Sequence, residues 1–289
     1  MTPTIETAAP LTGALSAPAG KTAWFRRAAS WPLALLRAVA EVHRKGFLAF
    51  ALAPAIVAMV VLPEAVQHVV EIKLGMFGSL EAFRANGADP LRMGLGYLKI
   101  AGLILCALAT ARFWHVGGVK KALLMPPRDL GRSVFALVIG FIVSLPLEWS
   151  LRTAQPPLIH WPVTVLSWTL SLLLFVYLIG ALFGDRGMTL RTAFTRGWKV
   201  VPLLAVLILV SFWPASQLHM LSHKLALGKA AVVVWALMLG DALLVGLLAT
   251  LTGSALAVAY RLGVGRNAEP GGAGLACRTG LGQRLSSRV

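Results

Sequence analysis

Residues 230–260 read AAVVVWALMLGDALLVGLLATLTGSALAVAY, 31 residues with one charged side chain, Asp241. A helix needs about 20 mostly apolar residues to cross the hydrocarbon layer of a bilayer. This run is long enough, and five more apolar segments precede it, at roughly 47–63, 97–118, 133–147, 161–184 and 200–216. Composition points the same way. The 289 residues are 57% hydrophobic and 13% charged, whereas a soluble domain carries about 25% charged residues to cover its surface. The expected fold is all-α: a polytopic membrane helical bundle of six transmembrane helices, arranged as three sequential hairpins.

The ends read differently from the middle. Residues 1–20 are rich in Ala, Pro and Thr, and residues 263–289 are rich in Gly and Arg; both are expected to be disordered tails. Glu6 comes early and no basic residue precedes Lys21, so no cleavable signal peptide is expected. Residues 21–46 mix Trp, Leu and Arg at helical spacing, the pattern of an amphipathic helix lying at the membrane interface. The six-span domain is then 47–262. Cys106 lies in an apolar run and Cys277 in the tail, so neither a disulfide nor a zinc-type Cys site is expected.

The net charge of +16 is explained by where the basic residues fall. Nineteen Lys and Arg lie in the N-terminal segment, the 119–132 and 185–199 loops and the C-terminal segment, against six in the three alternate loops. Basic loops face the cytoplasm and its anionic lipids. Both termini are therefore expected on the cytoplasmic side of a bacterial inner membrane. Lys99 and Arg112, near the two ends of the second span, are expected to snorkel toward the interfaces. The lipid bilayer is the implied partner, with a homo-oligomer or another membrane protein as further options. Nucleic acid is not implied, because no aromatic-basic motif or groove-reading helix is present.

Several polar residues stand out against this background. LPEAVQHVVEIKLG, residues 62–75, places Glu64, His68 and Glu71 at i, i+4 and i+7, one face of a helix if the helix continues through Pro63. The plain reading is an amphipathic helix end wetting its polar face. The chemical readings are a polar-solute or proton site, or a metal site completed by His219 and His223. Asp241 lies about 16 Å into the last apolar run. An acid at that depth costs about 2.5 to 3.5 kcal/mol and must be protonated, paired or hydrated. Its plain reading is a structural hydrogen bond to Ser167, Thr169 or Ser171. Gly246, Ala249, Thr250, Gly253 and Ala257 fall on small-residue ridges spaced by four, which let helices approach closely.

An ungapped offset of 151 residues relates two of these regions. Pro63 lies over Pro214, His68 over His219, and Lys73-Leu74 over Lys224-Leu225. Transporters place sites at broken helices between such repeats. Catalytic templates are absent: there is no HExxH, GxSxG, Walker or dinucleotide motif.

Two further segments carry a family likeness: MTLRTAFTRGWKVVPLLAVLILV (188–210), an amphipathic lead-in to a span, and GSALAVAYRLG (253–263), which ends the last one. With six spans and inner termini, the chain resembles uncharacterised bacterial six-helix inner-membrane proteins. These are similar to the membrane-anchoring domain of some glycerophosphodiester phosphodiesterases. The resemblance covers most of residues 30–262 and implies no catalytic residues, since the chemistry of that family belongs to a separate soluble domain. The leading expectation is a non-catalytic protein of membrane or envelope organisation, or one that assembles with a partner, with no cofactor implied. Two other classes compete: a small transporter with an outward-facing site at Glu64, His68, His219 and Asp241, and a metal-dependent membrane enzyme. The charge asymmetry makes the topology testable. A periplasm-active reporter fused after Ala85 is expected to be active and one after Met125 silent; the reverse pattern would overturn the orientation.

Overall fold

The computed structural model describes residues 20–153 and 156–264; the expected tails fall almost entirely outside them, as does Cys277. Ten helices are present among the described residues: α1 (Gly20–Leu52), α2 (Pro54–Lys73), α3 (Leu80–Ala85), α4 (Pro90–Val116), α5 (Val119–Leu123), α6 (Pro127–Arg152), α7 (Pro157–Phe183), α8 (Leu190–Arg196), α9 (Val201–Ala226) and α10 (Ala231–Val264). A 3₁₀ turn at Gly197–Lys199 precedes α9, and no strand occurs among these residues. Six helices are long and apolar enough to cross a membrane: α2, α4, the Pro127–Pro146 part of α6, α7, α9 and α10.

The residues divide into two compact units, with the boundary after Ala38. In the first, Trp31, Leu33 and Leu36 on α1 are exposed. Everything that follows concerns the second unit.

Prolines start these helices and do not stop them. The first span begins at Pro54, later than expected, because Ala53 leaves helical geometry (φ −141°, ψ 49°). A residue before proline is pushed out of the α region, and the proline then suits the first helical turn. Residues 47–52 therefore end α1. The second span begins at Pro90, earlier than expected, behind the Asp89 side chain, which accepts from the Arg92 amide at 3.0 Å. Pro63, Pro146 and Pro214, at or near the ends of three expected apolar runs, lie inside α2, α6 and α9, so each helix continues past its proline. Pro63 cannot donate to the carbonyl of Met59. That carbonyl sits against Gly102 of α4, where any Cβ would overlap its oxygen.

Consecutive spans pack in pairs: α2 on α4, α6 on α7, and α9 on α10. Helix α10 also packs against α2, α4 and α7, which makes it the central helix. Its small residues are at these contacts. A Cβ on Gly246 would come within 2.6 Å of Val61 Cγ2 on α2, and one on Gly253 within 2.7 Å of Thr110 Cβ on α4. Ala249, Thr250 and Ala257 are buried along the same length. Outward-facing positions are apolar and large, among them Phe141, Trp161, Trp168 and Trp213. Water would not tolerate that surface, whereas lipid is its natural solvent. Near the far end of α10, Glu41 pairs with Lys45 at 3.0 Å and with Arg261. Burial acts to raise the Glu41 carboxyl, but these two cations hold it below its usual value.

The Gly253 contact leaves no room for a larger side chain. Gly253→Leu is expected to cost about 1–3 kcal/mol through overpacking against Thr110 and Ala107. The loss should appear as a lowered thermal unfolding midpoint in detergent, with lipid-facing Leu239→Ala unchanged.

Candidate metal centre

Helix α2 continues ten residues past Pro63, so Glu64, Gln67, His68 and Glu71 share one face. All four are buried. This face meets α4, α9 and α10 near the end of the bundle where α2 finishes and α4 begins. There Glu64, His68, Glu71, His219, His223 and Asp241 come together, although they span three helices and 178 positions of sequence.

Two of the acids are matched by cations on α4. Lys99 Nζ lies 3.2 Å from Glu64 Oε1 and 3.1 Å from Oε2, aligned for a hydrogen bond only with the first. Lys99 thus turns inward to a buried carboxylate instead of snorkelling. Arg92 Nε donates to Glu71 Oε1 at 3.0 Å. Seven residues forward on α2 correspond to seven residues back on α4, as an antiparallel pair requires. Gln67 Nε2 also donates to Glu71 Oε1, at 3.0 Å.

Asp241 has no Lys or Arg partner among the described residues; its neighbours are imidazoles and one hydroxyl. Ser222 donates to Oδ1. Three ring nitrogens crowd Oδ2: His219 Nδ1 at 2.8 Å, His68 Nε2 at 3.1 Å and His223 Nε2 at 3.5 Å. These partners come from α2 and α9. Ser167, Thr169 and Ser171, the expected partners, lie on α7 and make no hydrogen bond to Asp241 among the described residues. His68 is held from both sides, with Nε2 also 3.2 Å from Glu64 Oε1 and Nδ1 2.9 Å from Glu71 Oε2.

One ligand atom each from Glu64, His219, His223 and Asp241 lie within 4.8 Å of one another. Two donors about 2.1 Å from a tetrahedral zinc ion are about 3.4 Å apart. The His223–Asp241 separation of 3.5 Å lies close to that value, while His219 and Asp241, at 2.8 Å, are in hydrogen-bond contact and would part by a few tenths of an ångström around an ion. Nitrogen and carboxylate donors suit zinc and similar divalent ions. His68 falls outside this set of four. It bridges the two carboxylate ligands to Glu71, the arrangement by which groups behind a metal site fix its ligands.

A cap of apolar side chains closes the centre. Phe77 and Phe83 pack around His223 with ring centroids 6.0 and 6.4 Å away, and Arg92 lies over Phe83. Gly228 donates its amide to Phe77 O at 2.8 Å, joining the α2–α3 loop to the α9–α10 turn. Gly75 allows the sharp exit from α2 with φ 66°. Arg92, Lys99, His219 and His223 remain partly exposed around the rim, while the carboxylates lie behind them.

The small residues of α10 lie deeper in the helix and take no part in the centre. His115 stacks on Phe183 at 4.2 Å, and Arg112 turns inward to backbone carbonyls. Sequence reasoning overlooked Arg92, Lys99, Ser222 and Gln67 as members of the site. A usable signal existed for the first two, since bases at 92 and 99 repeat the seven-residue spacing of the acids at 64 and 71. No family model, curated protein or solved structure matches this chain.

The two cross-helix pairs can be separated from the centre they support. Arg92→Met leaves Glu71 buried with its strongest partner gone. It is expected to cost about 3–5 kcal/mol, nearer the lower figure because Arg92 is partly solvated. Adding Glu71→Gln should recover most of that loss in thermal unfolding in detergent; no recovery would mean the pair carries no special coupling.

Proposed function

We propose that this multi-pass membrane protein is a metal-dependent membrane enzyme, holding one divalent ion with Glu64, His219, His223 and Asp241. The observation that carries the reading is the crowding of Asp241 Oδ2. Three imidazole nitrogens lie within 3.5 Å of one oxygen with two lone pairs, so at most two of them can donate to it. With a cation present, His219 and His223 serve as ligands instead of competing donors. Charge supports the same view. Lys99 and Arg92 neutralise Glu64 and Glu71, whereas Asp241 has only imidazoles and the Ser222 hydroxyl beside it among the described residues.

A divalent ion at such a site supplies Lewis acidity toward a carbonyl or phosphoryl oxygen and toward water. The chain's own groups have distinct duties. Ser222 occupies Asp241 Oδ1 and leaves Oδ2 to face the centre. His68, fixed by Glu71, sets the angle between the two carboxylate ligands. Lys99 and Arg92 stand at the rim, where an anionic group of a substrate would meet them. Hydrolysis is the reaction class that this set of nitrogen and oxygen ligands favours. The membrane is read as a bacterial inner membrane and the centre as facing its outer side, on the strength of the basic-loop asymmetry.

Protein purified without chelator and loaded with zinc or manganese should hold about one ion per chain by elemental analysis. Asp241→Asn and His219→Ala should abolish binding, and Glu71→Gln should weaken it about 10–100-fold, with circular dichroism confirming that each variant is folded. Absence of stoichiometric metal in the folded wild type after loading would overturn the proposal. Stoichiometric metal that crosses proteoliposome membranes would reassign the same centre to transport.

A further inference from the structure

A second feature lies at the other end of the second span and is independent of the metal reading. A cavity of about 450 Å³ opens between α4 and α6. Its walls are apolar, with Met59, Leu105, Leu108, Leu124 and Leu137 among them; Arg112 and Ser133 are its polar lining. The Ser133 hydroxyl is already committed to Asp129 O at 2.8 Å. From Leu105 to Arg112 the slot extends about 10 Å along α4.

Arg112 is a buried guanidinium that forms no ion pair with a carboxylate among the described residues. Its Nε donates to Lys121 O at 3.2 Å and one terminal nitrogen to Leu182 O. Asp129 is an acid whose field reaches it without forming an ion pair. Nη2 makes no hydrogen bond to the protein among the described residues. A guanidinium left with free donors at the end of an apolar slot is matched by a planar or tetrahedral oxyanion. Lys120, Lys121 and Arg128 are exposed at the same end.

Packing supplies the second argument. Helix α6 packs on α7, and only α7 joins that pair firmly to α4 and α10. The slot therefore occupies the place where direct α4–α6 contact is sparse. In a bilayer such a space is filled by lipid, and the basic end selects a lipid of negative charge.

We propose that one anionic phospholipid binds here, with an acyl chain in the slot between α4 and α6 and its phosphate at Arg112 and Lys121. Its chain completes the seam between the α6–α7 pair and the rest of the bundle. Its headgroup satisfies the remaining donors of Arg112.

The test uses the whole protein in mild detergent, with phosphatidylglycerol and phosphatidylcholine of identical acyl chains as probes. Native mass spectrometry should show one retained phosphatidylglycerol, preferred about tenfold over phosphatidylcholine, and only phosphatidylglycerol should raise the thermal midpoint. Arg112 also holds two carbonyls, so Arg112→Gln could unfold this region for an unrelated reason. Leu137→Trp, which fills the slot, and Lys121→Gln, whose side chain makes no hydrogen bond or ion pair among the described residues, avoid that difficulty. The first should remove the retained lipid, and the second should remove the headgroup preference. Equal retention of both lipids by the wild type, or retention unaffected by Leu137→Trp, would overturn the proposal.

Discussion

A carboxylate buried in the central helix imposes the main constraint on this structure. Asp241 is 1% exposed and is the one charged side chain of α10 before Arg261 in its last turn. An unpaired charge at such a depth is untenable. Helix α9 therefore presents His219, Ser222 and His223 to it, and α2 presents His68. Those imidazoles bring their own requirements: His68 needs Glu71 behind it, Glu71 needs Arg92, and Glu64 needs Lys99. The chain of obligations spans all four helices around the centre and sets their depth relative to one another.

The spans were legible because lipid-facing and core-facing positions are both apolar, which leaves long unbroken runs. Their limits were less legible. Proline breaks helices in water, where the freed carbonyl and the ring clash cost about 3 kcal/mol. Within this bundle the freed carbonyl of Met59 packs directly against the backbone of Gly102 on α4. Consequently Pro63 and Pro214 stand in mid-helix, and the histidines five residues beyond each remain in register with Asp241. The 151-residue echo thus corresponds to two helices that deliver an equivalent ring to one oxygen.

The centre itself was half visible. Glu64, His68 and Glu71 declared themselves by spacing, and Asp241 by its depth, because a helix period makes local coincidence easy to see. Arg92 and Lys99 did not, because their partners lie across a turn and no local pattern joins Glu71 to Arg92. Lys99 reads as a snorkelling side chain when the second span is taken to begin at 97. Once that helix starts at Pro90, the residue lies two turns inside it and must find a buried acid. An error of seven residues in a helix boundary was enough to hide a member of the site.

The two ion pairs between α2 and α4 act as a vernier. Glu64 meets Lys99 and Glu71 meets Arg92 at the same offset, so sliding one helix along the other by a single turn breaks both together. This pair therefore cannot work as a piston. Any motion that admits a molecule to the centre has to come from its other walls: rotation of α9 about its axis, or lifting of the Phe77–Phe83 cap. The α9–α10 turn is tied to that cap through Gly228, so the two movements are mechanically one. Among the described residues, the fold thus sets an ion-paired seam, α2 with α4, against a wall of α9 and the cap that no Lys or Arg ion pair locks to it.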